Sequence, residues 1–76
     1  MAKQRIRLTL PGELRSEPII YTLGLQFNLL ITIRQADLTK DRGWVVLELE
    51  GADKDIEAGI TWATSKGVRV DIVNEQ

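Results

Sequence analysis

Apolar and polar side chains alternate strictly over residues 4–10: Ile6, Leu8 and Leu10 fall on one side, Arg5, Arg7 and Thr9 on the other. A period of two predicts a strand with one dry and one wet face, and Pro11-Gly12 stops it. Residues 17–25 carry a helical spacing, with Ile19, Ile20, Leu23 and Phe27 near one stripe. Pro18 suits its first turn, Ser16 or Glu17 its cap, and Gly24 its stop. A second strand is predicted over 27–38, with Phe27, Leu29, Ile31 and Ile33 on one face and Asn28, Leu30, Thr32 and Arg34 on the other. Its β-branched Ile31, Thr32 and Ile33 favour a pleated surface. The polar turn at 39–43 joins it as a hairpin to a third strand over 44–50, where Val45, Leu47 and Leu49 alternate with Val46, Glu48 and Glu50. Gly51-Ala52-Asp53 breaks that strand, and a helix is predicted from Asp53 to Lys66 with Ile56, Ile60 and Ala63 as its buried stripe. Asp53 and Asp55 at its start and Lys66 at its end complement the helix dipole, and Gly67 stands where a left-handed cap belongs. Val68, Val70 and Ile72 mark a fourth strand, and residues 74–76 a polar tail.

The order β-α-β-β-α-β defines an α+β domain. Right-handed crossovers place both helices on one face of a four-stranded antiparallel sheet, in the spatial order 4-1-3-2. One domain spans residues 1–76, with no linker, repeat or low-complexity run.

The other face of such a sheet is left uncovered. It takes Arg5, Arg7 and Thr9; Asn28, Leu30, Thr32 and Arg34; Trp44, Val46, Glu48 and Glu50; and Arg69 and Asp71. The two central strands are expected to bring Arg5 and Arg7 beside Glu48 and Glu50, where opposite charges pair across strands. Two readings of this face stand: a solvated, charge-laced surface, or a self-association patch in which Leu30, Thr32, Trp44 and Val46 meet a second copy.

Size bears on that choice. A chain of 76 residues buries only roughly 60% of its unfolded surface, and domains this small usually need a disulfide, a metal or a partner chain. With no Cys and no His, no disulfide, iron–sulfur cluster or thiolate zinc site can form, and the commonest transition-metal ligand and general base are missing. Oligomerisation is the remaining device, and a homodimer is expected. The net charge of −1 lacks the basic excess of a nucleic-acid binder. No apolar run is long enough to span a membrane and no signal-peptide core precedes the first strand, so the expected compartment is the cytoplasm.

Catalytic constellations are lacking. Ser16 and Ser65 have no His to activate them, and the six Gly form no phosphate-cradling loop. Asp53, Asp55 and Glu57 fall at a helix start with a spacing that does not converge on one metal. An RNA-recognition sheet would carry stacking aromatics where this chain has Arg5, Arg7, Val46 and Glu48. A metal chaperone would need C-x-x-C. An acylphosphatase-like enzyme would need a loop Arg and an Asn; Arg15 and Asn28 exist, but the loop has Glu13 and no glycine-rich cradle. The chain is read as a non-enzyme without a metal or cofactor.

Residues 27–33, Phe-Asn-Leu-Leu-Ile-Thr-Ile, resemble the signature strand of the NIL domain, named for an Asn-Ile-Leu run; here it reads Asn28-Leu29-Leu30. Pro18-Ile19-Ile20 is similar to the family's helix opening, residues 45–51 to its third strand and closing glycine, and 60–63 with 67–71 to its second helix and last strand. The order and spacing of these segments, over about residues 4–73, carry the resemblance.

That resemblance implies a ferredoxin-like, ACT-like fold that pairs with its twin. NIL domains form the regulatory part of the ATPase subunit of bacterial methionine importers, where methionine bound at the paired domain restrains transport. They also occur fused to ferredoxin modules and as short free-standing proteins. With no ATPase segment and no Cys, the chain resembles the free-standing kind, and its signal is expected to pass to a transporter or enzyme partner. The ligand expected from the resemblance is a small amino acid, methionine first. Asn28 is the residue carried over as its contact, since an amide can donate to a carboxylate and accept from an ammonium. Leu30 and Phe27 would flank a thioether. Alternatively, Asn28 satisfies backbone groups at the strand entrance, and Phe27 is core. Trp62 is read as partial core at the sheet margin. The competing function is an interaction adaptor that binds no small molecule.

Overall fold

The alternation that opens the chain builds a longer strand than residues 4–10 alone: in the computed structural model, β1 runs Ala2–Pro11. It is followed by α1 (Ile19–Gln26), β2 (Leu30–Leu38), β3 (Arg42–Gly51), α2 (Asp53–Ser65) and β4 (Arg69–Val73). The structure describes residues 1–12, 18–39 and 42–73. The expected caps Ser16 and Glu17, the loop Arg15, part of the polar turn and the tail lie outside them. The sheet is antiparallel throughout, in the order β2-β3-β1-β4, which read from the other edge is 4-1-3-2. The fold is ferredoxin-like.

Both helices cover the same face. Ile6, Leu8 and Leu10 of β1 and Val45, Leu47 and Leu49 of β3 form one buried cluster with Ile19 and Leu23 of α1, Leu29 just before β2, Ile56 and Ala63 of α2, and Val68 just before β4. The i, i+4 spacing of Ile19 and Leu23, and the turn-by-turn recurrence of Ile56, Gly59 and Ala63, set these residues on the buried faces of their helices. Gly59 lets α2 approach the first helix and the turn after it: a Cβ there would sit 2.9 Å from Leu23 Cδ1 and 3.3 Å from Leu29 Cδ1.

The end of α2 follows its sequence signal. Gly67 takes φ 94°, its N–H donates to Thr64 O, and Val68 N–H donates to Ala63 O. This is the paired closure in which a left-handed residue reverses the chain and the next apolar residue covers the last turn.

The end of α1 departs from expectation. Gly24 does not stop the helix, which continues to Gln26. Gly24 faces the sheet instead, where a Cβ would lie 3.3 Å from both Ile31 Cδ1 and Leu29 O. The left-handed position belongs to Asn28, at φ 56°, and Leu29 N–H reaches back to Gly24 O at 3.0 Å. Phe27 and Asn28 are therefore turn residues rather than the start of the second strand. Asn is among the few side chains that accept this backbone readily, because its short amide bonds locally.

Strand β2 also carries an irregularity. Pairing runs Leu30↔Glu50 to Ile33↔Leu47, then resumes at Gln35↔Val46 and ends at Leu38↔Gly43. The shift between Ile33 and Gln35 is a β-bulge that inserts Arg34 and reverses the phase of every later side chain. Gln35 and Asp37, not Arg34, continue the uncovered face. The bulge sits on an edge strand, a common place for a device that discourages further pairing. Ile33 and Ile72 project on the helix side yet remain 57% and 55% exposed, because they lie on the two edge strands, past the reach of the helices.

Candidate functional site

The register converts the uncovered face into rows. Leu30, Glu50 and Lys3 form the first; Thr32, Glu48, Arg5 and Val73 the second; Gln35, Val46, Arg7 and Asp71 the third; Asp37, Trp44, Thr9 and Arg69 the fourth. In the second row Arg5 Nη2 donates to Glu48 Oε2 at 3.5 Å, the cross-strand pair expected from the alternation. Both side chains are only about a fifth exposed (22% and 18%) although no other layer covers them. Arg7 does not pair with a glutamate as expected. It stands opposite Val46 and its guanidinium carbon lies 5.4 Å from the centre of the Trp44 ring.

Leu30, Thr32, Trp44 and Val46 all lie on this face, but they do not form one contiguous apolar patch. Leu30, 64% exposed, occupies one end of it. Trp44 occupies the other, beside the hairpin, and Val46 is buried between them among polar neighbours. Asn28 stands in the turn that leads into Leu30. Phe27 goes to the helix side, where its ring meets that of Trp62 with 5.8 Å between centroids and a tilt of 52°. Phe27 and Trp62 thus close the core margin together.

The left-handed turn gives Asn28 a structural role that can be separated from ligand contact. Asn28→Gly is expected to keep the backbone and hold stability within about 0.5 kcal/mol, whereas Asn28→Ala is expected to lose about 1 kcal/mol to the same φ. Denaturant midpoints of the two variants check this.

Sequence reasoning missed two features of this region. The first is a depression at the hairpin end of the uncovered face, of about 330 Å³, lined by Arg7, Thr9, Asp37, Thr39, Gly43 and Trp44. Gly43 is needed in its wall, since a Cβ would fall 2.8 Å from Leu38 Cα and 2.9 Å from Asp37 O. Asp37 reaches that wall only because of the bulge, and no residue type in 30–38 announces it. The second is an apolar groove on the helix side between α1 and β2, lined by Ile20, Tyr21, Gly24, Leu25, Leu29, Ile31 and Ile33. Tyr21 and Leu25 are about 70% exposed there (69% and 71%), a signal visible as two large apolar residues outside the helix stripe.

Among the described residues no group of acidic, His or Cys side chains is arranged to hold a metal ion, and no helix is long and apolar enough to cross a membrane.

The family model of the NIL domain matches residues 4–72. The chain belongs to the NIL domain family. In this NIL domain the Asn-Leu-Leu segment is thus a helix-ending turn followed by the first residue of the edge strand. Among solved structures, the C-terminal domain of an ABC transporter ATP-binding protein from Enterococcus faecalis has the same fold, with a TM-score of 0.84 over 96% of this chain and 86% of that one, at 21% identity. A formyltetrahydrofolate deformylase from Pseudomonas putida matches at a TM-score of 0.66 and 9% identity over 97% of this chain, which spans 29% of that enzyme. The de novo designed protein Foldit4 matches at 0.56 and 11% identity, with 97% of each chain covered. No curated protein is detectably similar in sequence.

Proposed function

We infer that the chain is a non-catalytic regulatory domain that pairs with a second copy through its uncovered sheet face and senses a small amino acid, methionine first, beside that pairing surface. Membership of the NIL family supports the regulatory reading, as does the fold shared with a domain of an ABC transporter ATP-binding protein. The observation that carries the pairing is Leu30, a leucine left 64% exposed on a face where Arg5 and Glu48 already pair with each other. Asn28 and Leu30 stand at the same end of that face, where an amide and an apolar side chain can serve the two kinds of surface on an amino acid. Phe27, packed against Trp62, anchors the turn that carries Asn28, and a transporter or enzyme partner would read the signal.

Thermal unfolding with and without millimolar methionine tests this reading. A ligand bound only by the folded state raises stability with its concentration, by roughly 2.7 kcal/mol at a hundred times its dissociation constant. That is a shift of ten degrees or more, at about 4–8 °C per kcal/mol for a domain of this size. Methionine is expected to raise the midpoint, and Asn28→Gly to cancel most of the rise while keeping the unliganded midpoint. A flat response to every amino acid favours the second reading, an adaptor that docks another protein and takes no small molecule. The apolar margin along α1 and β2 is the observation on that side.

A further inference from the structure

Arg7 lies directly opposite Asp71 on one side and Val46 on the other. A guanidinium facing a carboxylate across a ladder ordinarily pairs with it. Here Asp71 instead accepts from Arg69 Nε at 3.2 Å, within its own strand, and Arg7 lies over the Trp44 ring. Attraction to the electron-rich face of an indole uses no N–H donor. The planar fork that suits a carboxylate therefore remains available. Asp37 is directly across the β2–β3 ladder from the same indole. Among the described residues neither Arg7 nor Asp37 has an ion-pair partner, and they do not pair with each other.

The depression thus brings together a guanidinium that rests on an indole but has no carboxylate partner, and a carboxylate that has no cation partner among the described residues, with Thr9 beside them. Its volume of about 330 Å³ falls at the low end of small-molecule sites, about 300–1,000 Å³. Charge decides the ligand class. Asp37 repels a simple anion and Arg7 repels a simple amine, while a molecule bearing both signs satisfies both walls. The geometry points to a binding site for a small zwitterion, its carboxylate on Arg7, its ammonium on Asp37 and its apolar body against Trp44. This rests on the reading of the chain as a small-ligand domain, but it is a site separate from Asn28 and Leu30, at the opposite, hairpin end of the face, and it does not require the ligand to be methionine.

Two-dimensional NMR on the intact chain tests it, with a panel of L-amino acids, N-acetyl-methionine and methionine amide as probes. An amino acid is expected to move the Trp44 indole N–H and the amides around Asp37. The N-acetyl form, which lacks the cation, and the amide, which lacks the anion, are expected to bind at least about tenfold more weakly. Arg7→Gln and Asp37→Asn are each expected to weaken the amino acid by a similar factor and to remove the preference against the amide and the N-acetyl form respectively. Both side chains are on the surface, so the spectra themselves verify that the variants fold. Methionine shifts confined to residues 28–30, with Trp44 unmoved, overturn this site and leave methionine sensing standing. A Trp44 response to other amino acids but not to methionine supports the site and ends the methionine reading. Unchanged affinity in Arg7→Gln, or silence at Trp44 across the panel, shows Arg7 and Trp44 to be a structural pair only and overturns the proposal.

Discussion

Leu30→Glu is expected to leave the fold standing and to abolish the pairing proposed for the uncovered face. Leu30 is 64% exposed, so its replacement empties no buried space, and the monomer loses little. Directly across the ladder stands Glu50, and like charges facing one another on a sheet are mildly unfavourable. Closure of the pair is a different matter. It would remove the new carboxylates from water beside acidic neighbours, and like-charge juxtaposition at an interface costs several kcal/mol. That corresponds to a dissociation constant raised on the order of a hundredfold or more. Light scattering reads the outcome as a fall from twice the chain mass of 8.6 kDa to that mass. An unchanged mass in the variant would mean that Leu30 takes no part in association.

Leu47→Ala has the largest expected effect on stability. Leu47 is fully buried at the centre of the sheet, opposite Ile6 on one side and Ile33 on the other. Removing its branched end leaves a cavity that the flanking strands cannot close, at a cost of about 2–5 kcal/mol. Total stability at this length is roughly 4–11 kcal/mol by the usual per-residue range, so the loss consumes a large share of it. Urea titration is expected to show a much lower midpoint with an unchanged slope. A loss below about 1 kcal/mol would mean that the centre of the sheet is not the tightly packed interior described.

The parts of the fold that were legible are those with unbroken periodicity. β1, β3 and α2 follow their patterns to within a few residues at each end, and Gly67 closes α2 as its position implies. The hairpin and the two crossovers then leave few alternatives for the sheet order. β2 was harder, for two physical reasons. The apolar alternation runs unbroken from Phe27 to Ile33, so nothing in it separates the turn at Phe27-Asn28 from the strand after it; only the left-handed tolerance of Asn hinted at a turn. Farther on, the bulge at Arg34 reverses the phase, and simple alternation from Leu30 assigns Asp37 to the wrong face. The depression around Trp44 was illegible for the same reason, since one of its two charged walls depends on that bulge. The partner choice of Arg7 was equally hidden, because Asp71 is taken by its neighbour Arg69.

The central claim is that the helix-free face of the sheet is where two copies meet. Isotope-filtered NOE spectroscopy on a mixture of labelled and unlabelled chains tests it most directly. The account predicts intermolecular contacts from the methyls of Leu30 and Thr32. Intermolecular contacts from Tyr21 and Leu25 alone, or none at all at hundreds of micromolar, would contradict it.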